Sequence, residues 1–169
     1  MFRRTWAVAL GALLLTFGTT VSAVAAPGGT GRPFRAAASG QVAYDFSNPR
    51  HCPLGFTEEI WATGQATHLG SFTVSATHCE LFTGPASGIS YDGEMTLTAA
   101  NGDQVFGTYQ TTWAFADGKA TVSGGLQVNG GTGRFLHASG MLTQNDVISI
   151  ISPMPPWPVD MAFRGTLSY

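Results

Sequence analysis

Apolar side chains recur at every second position through most of this sequence, and a chain patterned in that way can bury them only as β-strands. Phe72, Val74 and Ala76 alternate with Ser71, Thr73, Ser75 and Thr77. Val159, Met161, Phe163 and Leu167 alternate with Asp160, Arg164, Thr166 and Ser168. Successive strand residues point to opposite faces, so each run has one apolar and one polar face. Similar runs cover 41–46, 58–69, 89–99, 105–113 and 122–128, with a less clear one over 139–151. Gly, Pro, Asn and Asp separate them, including the Asn101-Gly102 and Asp117-Gly118 pairs that favour tight hairpins.

About eight such strands predict an all-β domain. An open sheet would leave its apolar face wet and its edges unpaired, and closure into a single antiparallel barrel removes both problems. Glycines on the apolar faces (Gly64, Gly93, Gly107, Gly124 and Gly165) suit the sharp bends of a small barrel. A two-sheet sandwich is the alternative.

Residues 1–26 read as a signal peptide: Arg3 and Arg4, an apolar run over 6–17, then the small-x-small pattern of Ala23-Val24-Ala25. The apolar run is shorter than the roughly 20 residues a membrane span needs, and no membrane insertion is expected. Residues 27–37, "PGGTGRPFRAA", have no periodicity and read as a flexible lead-in, leaving 38–169 as one barrel domain. The expected location is outside the cytoplasm, by the general secretory or the twin-arginine route. Without Arg3 and Arg4, six Lys and Arg stand against ten Asp and Glu, a balance that argues against nucleic acid as a partner.

The two cysteines, Cys52 and Cys79, read as a disulfide in an exported chain. Each follows a histidine, His51 and His78, so a zinc site is the alternative. Strand neighbours face apart, which argues against both members of a pair ligating one ion, and no metal is expected.

The segment "NGGTGRFLHASG" (129–140) is the densest glycine cluster between two strand runs. It lacks the terminal Lys-Ser or Lys-Thr and the following helix of a phosphate loop. Gly130, Gly131 and Gly133 would supply backbone angles closed to other residues, Phe135 would plug a barrel end, and Arg134 could pair with a carboxylate. With "GQATHLGSFT" (64–73), "TAANGDQVFGTY" (98–109) and "FRGTLSY" (163–169), this segment resembles the allene oxide cyclase and dirigent barrels, above all their exported bacterial branch. The resemblance spans the mature chain and implies an eight-stranded antiparallel barrel. In the plant families the reaction, or its steering, takes place in a hydrophobic barrel cavity without metal or organic cofactor. Only scaffold segments match, so no cavity residue is carried over.

Parity assigns the polar residues that share the apolar faces. Continuing from Phe72, Val74 and Ala76 brings His78 and Glu80 inward, and these are the candidate acid–base pair. His68 and Glu58 fall on the corresponding face of the preceding run, and Tyr44, Tyr91, Tyr109 and Tyr169 also lie on apolar faces. Tyr91, Tyr109 and His68 are the candidate ligand-binding residues; a turn hydrogen bond is the other reading of His68. Glu58 and Glu59 are strand neighbours and face apart, which makes them poor glycosidase carboxylates. No nucleophile motif is present. Trp157, in the Pro-rich "SPMPPWPVD" (152–160), would either cover a barrel mouth or belong to a plain connector. The expected function is the binding of a small apolar molecule in the barrel. A cofactor-independent cyclase or isomerase, and a structural barrel filled by its own side chains, are the alternatives.

Overall fold

A computed structural model describes residues 30–169. The expected signal peptide, 1–26, lies outside the described residues. Eight strands follow in order: β1 (Arg32–Asp45), β2 (Thr57–Ala66), β3 (Gly70–Gly84), β4 (Ser87–Ala99), β5 (Gln104–Ala116), β6 (Lys119–Gly131), β7 (Ser139–Ser149) and β8 (Trp157–Ser168). The one helical element among the described residues is a 3-10 turn at Gly133–Phe135. Each strand pairs antiparallel with its neighbour in sequence, and β1 pairs with β8, from Arg32 opposite Leu167 to Val42 opposite Trp157. The sheet is therefore a closed barrel and not a sandwich. Among the described residues no helix is long and apolar enough to cross a membrane.

The lead-in expected over 27–37 ends sooner than its composition suggests. Residues 32–37 belong to β1, where Phe34 and Ala36 are buried in the core. Gly and Pro hid this segment because its strand character comes from pairing on both sides and not from local propensity.

The two ends of the barrel differ. The end carrying the β2–β3, β4–β5 and β6–β7 connections is packed solid by side chains that include Phe34, Leu69, Leu97, Phe135, Phe163 and Leu167. Phe135 is fully buried and meets the Tyr169 ring at 4.8 Å. The glycine segment seats it. Gly133 has φ +54°, and a Cβ there would meet Asp103 Oδ1 at 1.8 Å. Gly131 acts differently from expectation: what excludes a side chain there is proximity, since a Cβ would lie 2.1 Å from the Gln104 carbonyl oxygen. Arg134 finds its carboxylate in Asp103, at 3.7 Å.

Cys52 and Cys79 form a disulfide that ties the β1–β2 connection to the outer side of β3. Closing a loop of 27 residues stabilises the native state by roughly 3 kcal/mol through the unfolded chain. Among the described residues no cysteine is free.

Because Phe135 fills the closed end, Phe135→Ala is expected to lower unfolding free energy by about 3–5 kcal/mol. Urea denaturation followed by tryptophan fluorescence measures this. An unchanged midpoint would mean that the closed end is not part of the cooperative core.

Candidate functional site

The other end is hollow. A cavity of about 260 Å³ opens between the β1–β2, β3–β4, β5–β6 and β7–β8 connections. Its outer wall is aromatic, built from Tyr44, Phe56, Phe82, Trp113, Phe115 and Trp157. Trp157 thus lines the mouth; its indole N–H donates to the Ser152 carbonyl at 2.9 Å, and its ring meets Tyr44 at 5.5 Å.

At the floor stands His78, buried between two carboxyl groups. Its Nε2 lies 2.8 Å from Glu80 Oε1 and 3.4 Å from Glu58 Oε1, and its Nδ1 lies 2.6 Å from the Tyr109 hydroxyl. Glu80 also accepts from Ser90 Oγ at 2.7 Å and from the Trp113 indole N–H at 2.5 Å. Glu80 is thus held by three side chains from three strands. Glu58, His78 and Glu80 are all buried.

One extra residue in β4, at Asp92 with φ +51°, shapes this arrangement by shifting the register on both of its sides. The β3–β4 register shifts between Thr77 and Cys79, leaving His78 without a partner on β4 while it stays opposite Glu58 on β2. The β4–β5 register shifts between Ser90 and Gly93. Extra residues of this kind re-aim side chains near functional sites. On β4 the buried positions change from Gly93, Met95 and Leu97 to Ser90 and Gly88. Two glycines then make room for aromatic rings: a Cβ on Gly93 would meet the Tyr109 ring at 2.7 Å, and one on Gly88 would meet the Trp113 indole at 2.4 Å.

The expected residues separate accordingly. His78, Glu80 and Tyr109 come together at the cavity, joined by Glu58. Tyr91 does not: the bulge in β4 turns it to an outer groove beside Arg50 and Glu94. Unbroken alternation had placed it inside. His68 stands at the closed end, in the β2–β3 turn with φ +70°, and its Nε2 meets the Pro33 carbonyl at 3.0 Å. It serves the turn. Parity missed Gln144 and Asp146, both buried and lining the cavity, with Gln144 Nε2 donating to Asp146 Oδ2 at 2.6 Å. They occupy inward positions of β7, the strand whose alternation was least clear. The failure of the apolar pattern was itself the signal.

Burial opposes the charged form of His78, but hydrogen bonds and the charges of Glu58 and Glu80 outweigh it and raise its pKa to about 9. Burial raises the Glu58 carboxyl, against the hydrogen bond and charge of His78. Burial pushes Asp146 up to about 7 and Tyr44 to about 12, and holds the Tyr109 phenol well above its ordinary value. At neutral pH His78 is therefore an imidazolium, donating from both nitrogens, and Tyr109 keeps its own proton for the cavity.

Glu58, His78 and Glu80 also place three ligand atoms within 4.8 Å of one another, close enough to surround a cation. A cation would have to displace the Nε2 proton that both carboxyl groups stabilise, so the site as built favours a proton.

Comparison of the chain with protein-family models, with curated proteins and with solved structures gives no match.

The raised pKa of His78 fixes a stability profile. Its folded-state pKa lies above the ordinary 6.5, so its contribution is complete below about pH 6.5 and is lost as pH rises through about 9. Asp146 acts in the same direction at lower pH, its contribution being complete below 3.8 and lost by about pH 7. The melting temperature is expected to fall from about pH 6.5 to 9.5, by the equivalent of a few kcal/mol, and His78→Gln to flatten that limb. Calorimetry across the range checks this; an equal slope in the variant would place the titrating group elsewhere.

Proposed function

We propose that the protein is a cofactor-independent acid–base catalyst, an isomerase or cyclase acting on a small apolar molecule inside the barrel. The observation that carries this reading is the chain Glu58–His78–Tyr109 at the floor of a mainly apolar cavity. A carboxyl group of raised pKa lies on one side of the imidazole, and a phenol of raised pKa lies on the other. Glu58, once ionised, can take a proton from a substrate carbon. Tyr109 can give one to a substrate oxygen or carbon and take its replacement from His78 Nδ1; Glu58 then releases its proton to water at the mouth and the imidazole takes one back from water, which closes the cycle. A proton entering at one end and leaving at the other changes no net charge, as an isomerisation requires.

Size is consistent. An apolar cavity of about 150 Å³ holds benzene, so 260 Å³ encloses roughly ten non-hydrogen atoms, and the open mouth lets a two-ring molecule project a little beyond them. The resemblance to allene oxide cyclase and dirigent barrels supports the same reading, since those proteins work in a barrel cavity. The disulfide supports an exported protein, as the amino-terminal sequence implies.

The compact probe 5-nitrobenzisoxazole tests the relay. A base removes its ring C–H proton while the N–O bond breaks, giving 2-cyano-4-nitrophenolate, which absorbs visible light. Wild-type protein is expected to outpace free acetate and imidazole at equal concentration. Glu58→Gln is expected to reduce the rate by at least about 100-fold, and Tyr109→Phe by a smaller factor. Variants as fast as wild type would defeat the catalytic reading and leave a passive binding cavity.

A further inference from the structure

Three polar atoms in the cavity wall have no hydrogen-bond partner among the described residues: Thr111 Oγ1, Gln144 Oε1 and Asp146 Oδ1. All three side chains are more than nine-tenths buried and line the cavity. Buried polar groups are nearly always paired, so an unpaired cluster on a ligand-sized cavity describes what the ligand must supply.

Strand register shows that these atoms continue the site. Glu80 stands opposite Ser90, Ser90 opposite Thr111, Thr111 opposite Gly124, and Gly124 opposite Gln144. One polar row thus crosses β3 to β7. Its first part is satisfied internally, by the bond from Ser90 to Glu80. Its second part is open, because β6 contributes only Gly124 between Thr111 and Gln144. A side chain cannot replace that glycine, since a Cβ would lie 2.2 Å from the Gln110 carbonyl oxygen.

Charge narrows the choice further. Glu58, Glu80 and Asp146 line the cavity; among the described residues His78 is the sole basic residue lining it, already shared between the two glutamates, and no Lys or Arg does so. An incoming carboxylate would lose its hydration beside three carboxyl groups and find no free cation.

We infer that the substrate or ligand is an apolar molecule bearing one hydrogen-bond-donating head, a hydroxyl or an amine, seated against Thr111, Gln144 and Asp146, and that the carboxylic acid of the same skeleton is refused. This rests on the cavity being the functional site, and it sets the orientation of the molecule: donor head toward β5–β7, reacting carbons toward Glu58 and Tyr109.

Four probes of one skeleton test it: 1-methylnaphthalene, 1-naphthylmethanol, 1-naphthylmethylamine and 1-naphthoate, each titrated into the full protein by fluorescence. At least one of the alcohol and the amine is expected to bind about tenfold or more tightly than 1-methylnaphthalene, and the acid most weakly. Gln144→Leu with Thr111→Val is expected to erase the preference while 1-methylnaphthalene binds at least as well, which also shows that the variant is folded. If the amine is preferred and Asp146→Asn weakens it, the head is an ammonium; a preferred alcohol insensitive to that change makes it a hydroxyl. Equal affinities for all four, or tightest binding of the acid, would overturn this inference and leave the Glu58–His78–Tyr109 relay standing. No binding by any probe would overturn both. Conversely, His78→Gln protein that loses turnover of the benzisoxazole yet keeps the donor preference supports the two claims independently.

Discussion

The hydrogen-bonded ladder between β1 and β8 is the constraint on which the rest of this molecule depends. It converts a sheet with one apolar face into a barrel whose interior is walled from water all round and open only at one end. Only in that interior does a carboxyl group resist ionisation, and only there does an imidazole between two carboxyl groups hold its proton far above neutral pH. Without closure the same residues would be solvated. Their shifted acidities are a product of the fold.

The barrel divides stability from chemistry along its axis. One end is filled by aromatic and aliphatic side chains, with Phe135 seated by a glycine turn that no other residue type could form. The other end gives up packing for a cavity and carries buried carboxyl groups and unpaired oxygens, each unfavourable for folding. The filled half supplies the packing, while the hollow half holds the cavity. The disulfide reinforces the boundary, since Cys79 lies between His78 and Glu80 in sequence and anchors their strand from outside. A bulge in β4 at Asp92, where φ is +51°, then turns Ser90 inward to meet Glu80.

Much of this was legible in the residues themselves, in proportion to how regular each strand is. The alternation on β3 led correctly from Phe72 to His78 and Glu80, because the side chains keep their parity along that strand. On β4 the same reasoning failed at Tyr91, because an extra residue at Asp92, beside Gly93 and with φ +51°, reverses the parity that unbroken alternation assumes. On β7 the pattern faded where Gln144 and Asp146 replaced apolar residues. Period-two reading treats such positions as noise, although an inward polar residue is the mark of a site.

The sequence by itself determined the class of fold, the number of strands, the cysteine pairing and the glycine segment that closes one end. These follow from side-chain periodicity, turn chemistry and cysteine count, which are local or compositional. Only the tertiary structure decided that the barrel is half filled and half hollow, that Glu58 completes the environment of His78, and that Thr111, Gln144 and Asp146 face the same space. Those facts depend on register across strands distant in sequence and on the volume left after every side chain is placed. Register and volume are properties of the closed barrel, set jointly by all eight strands.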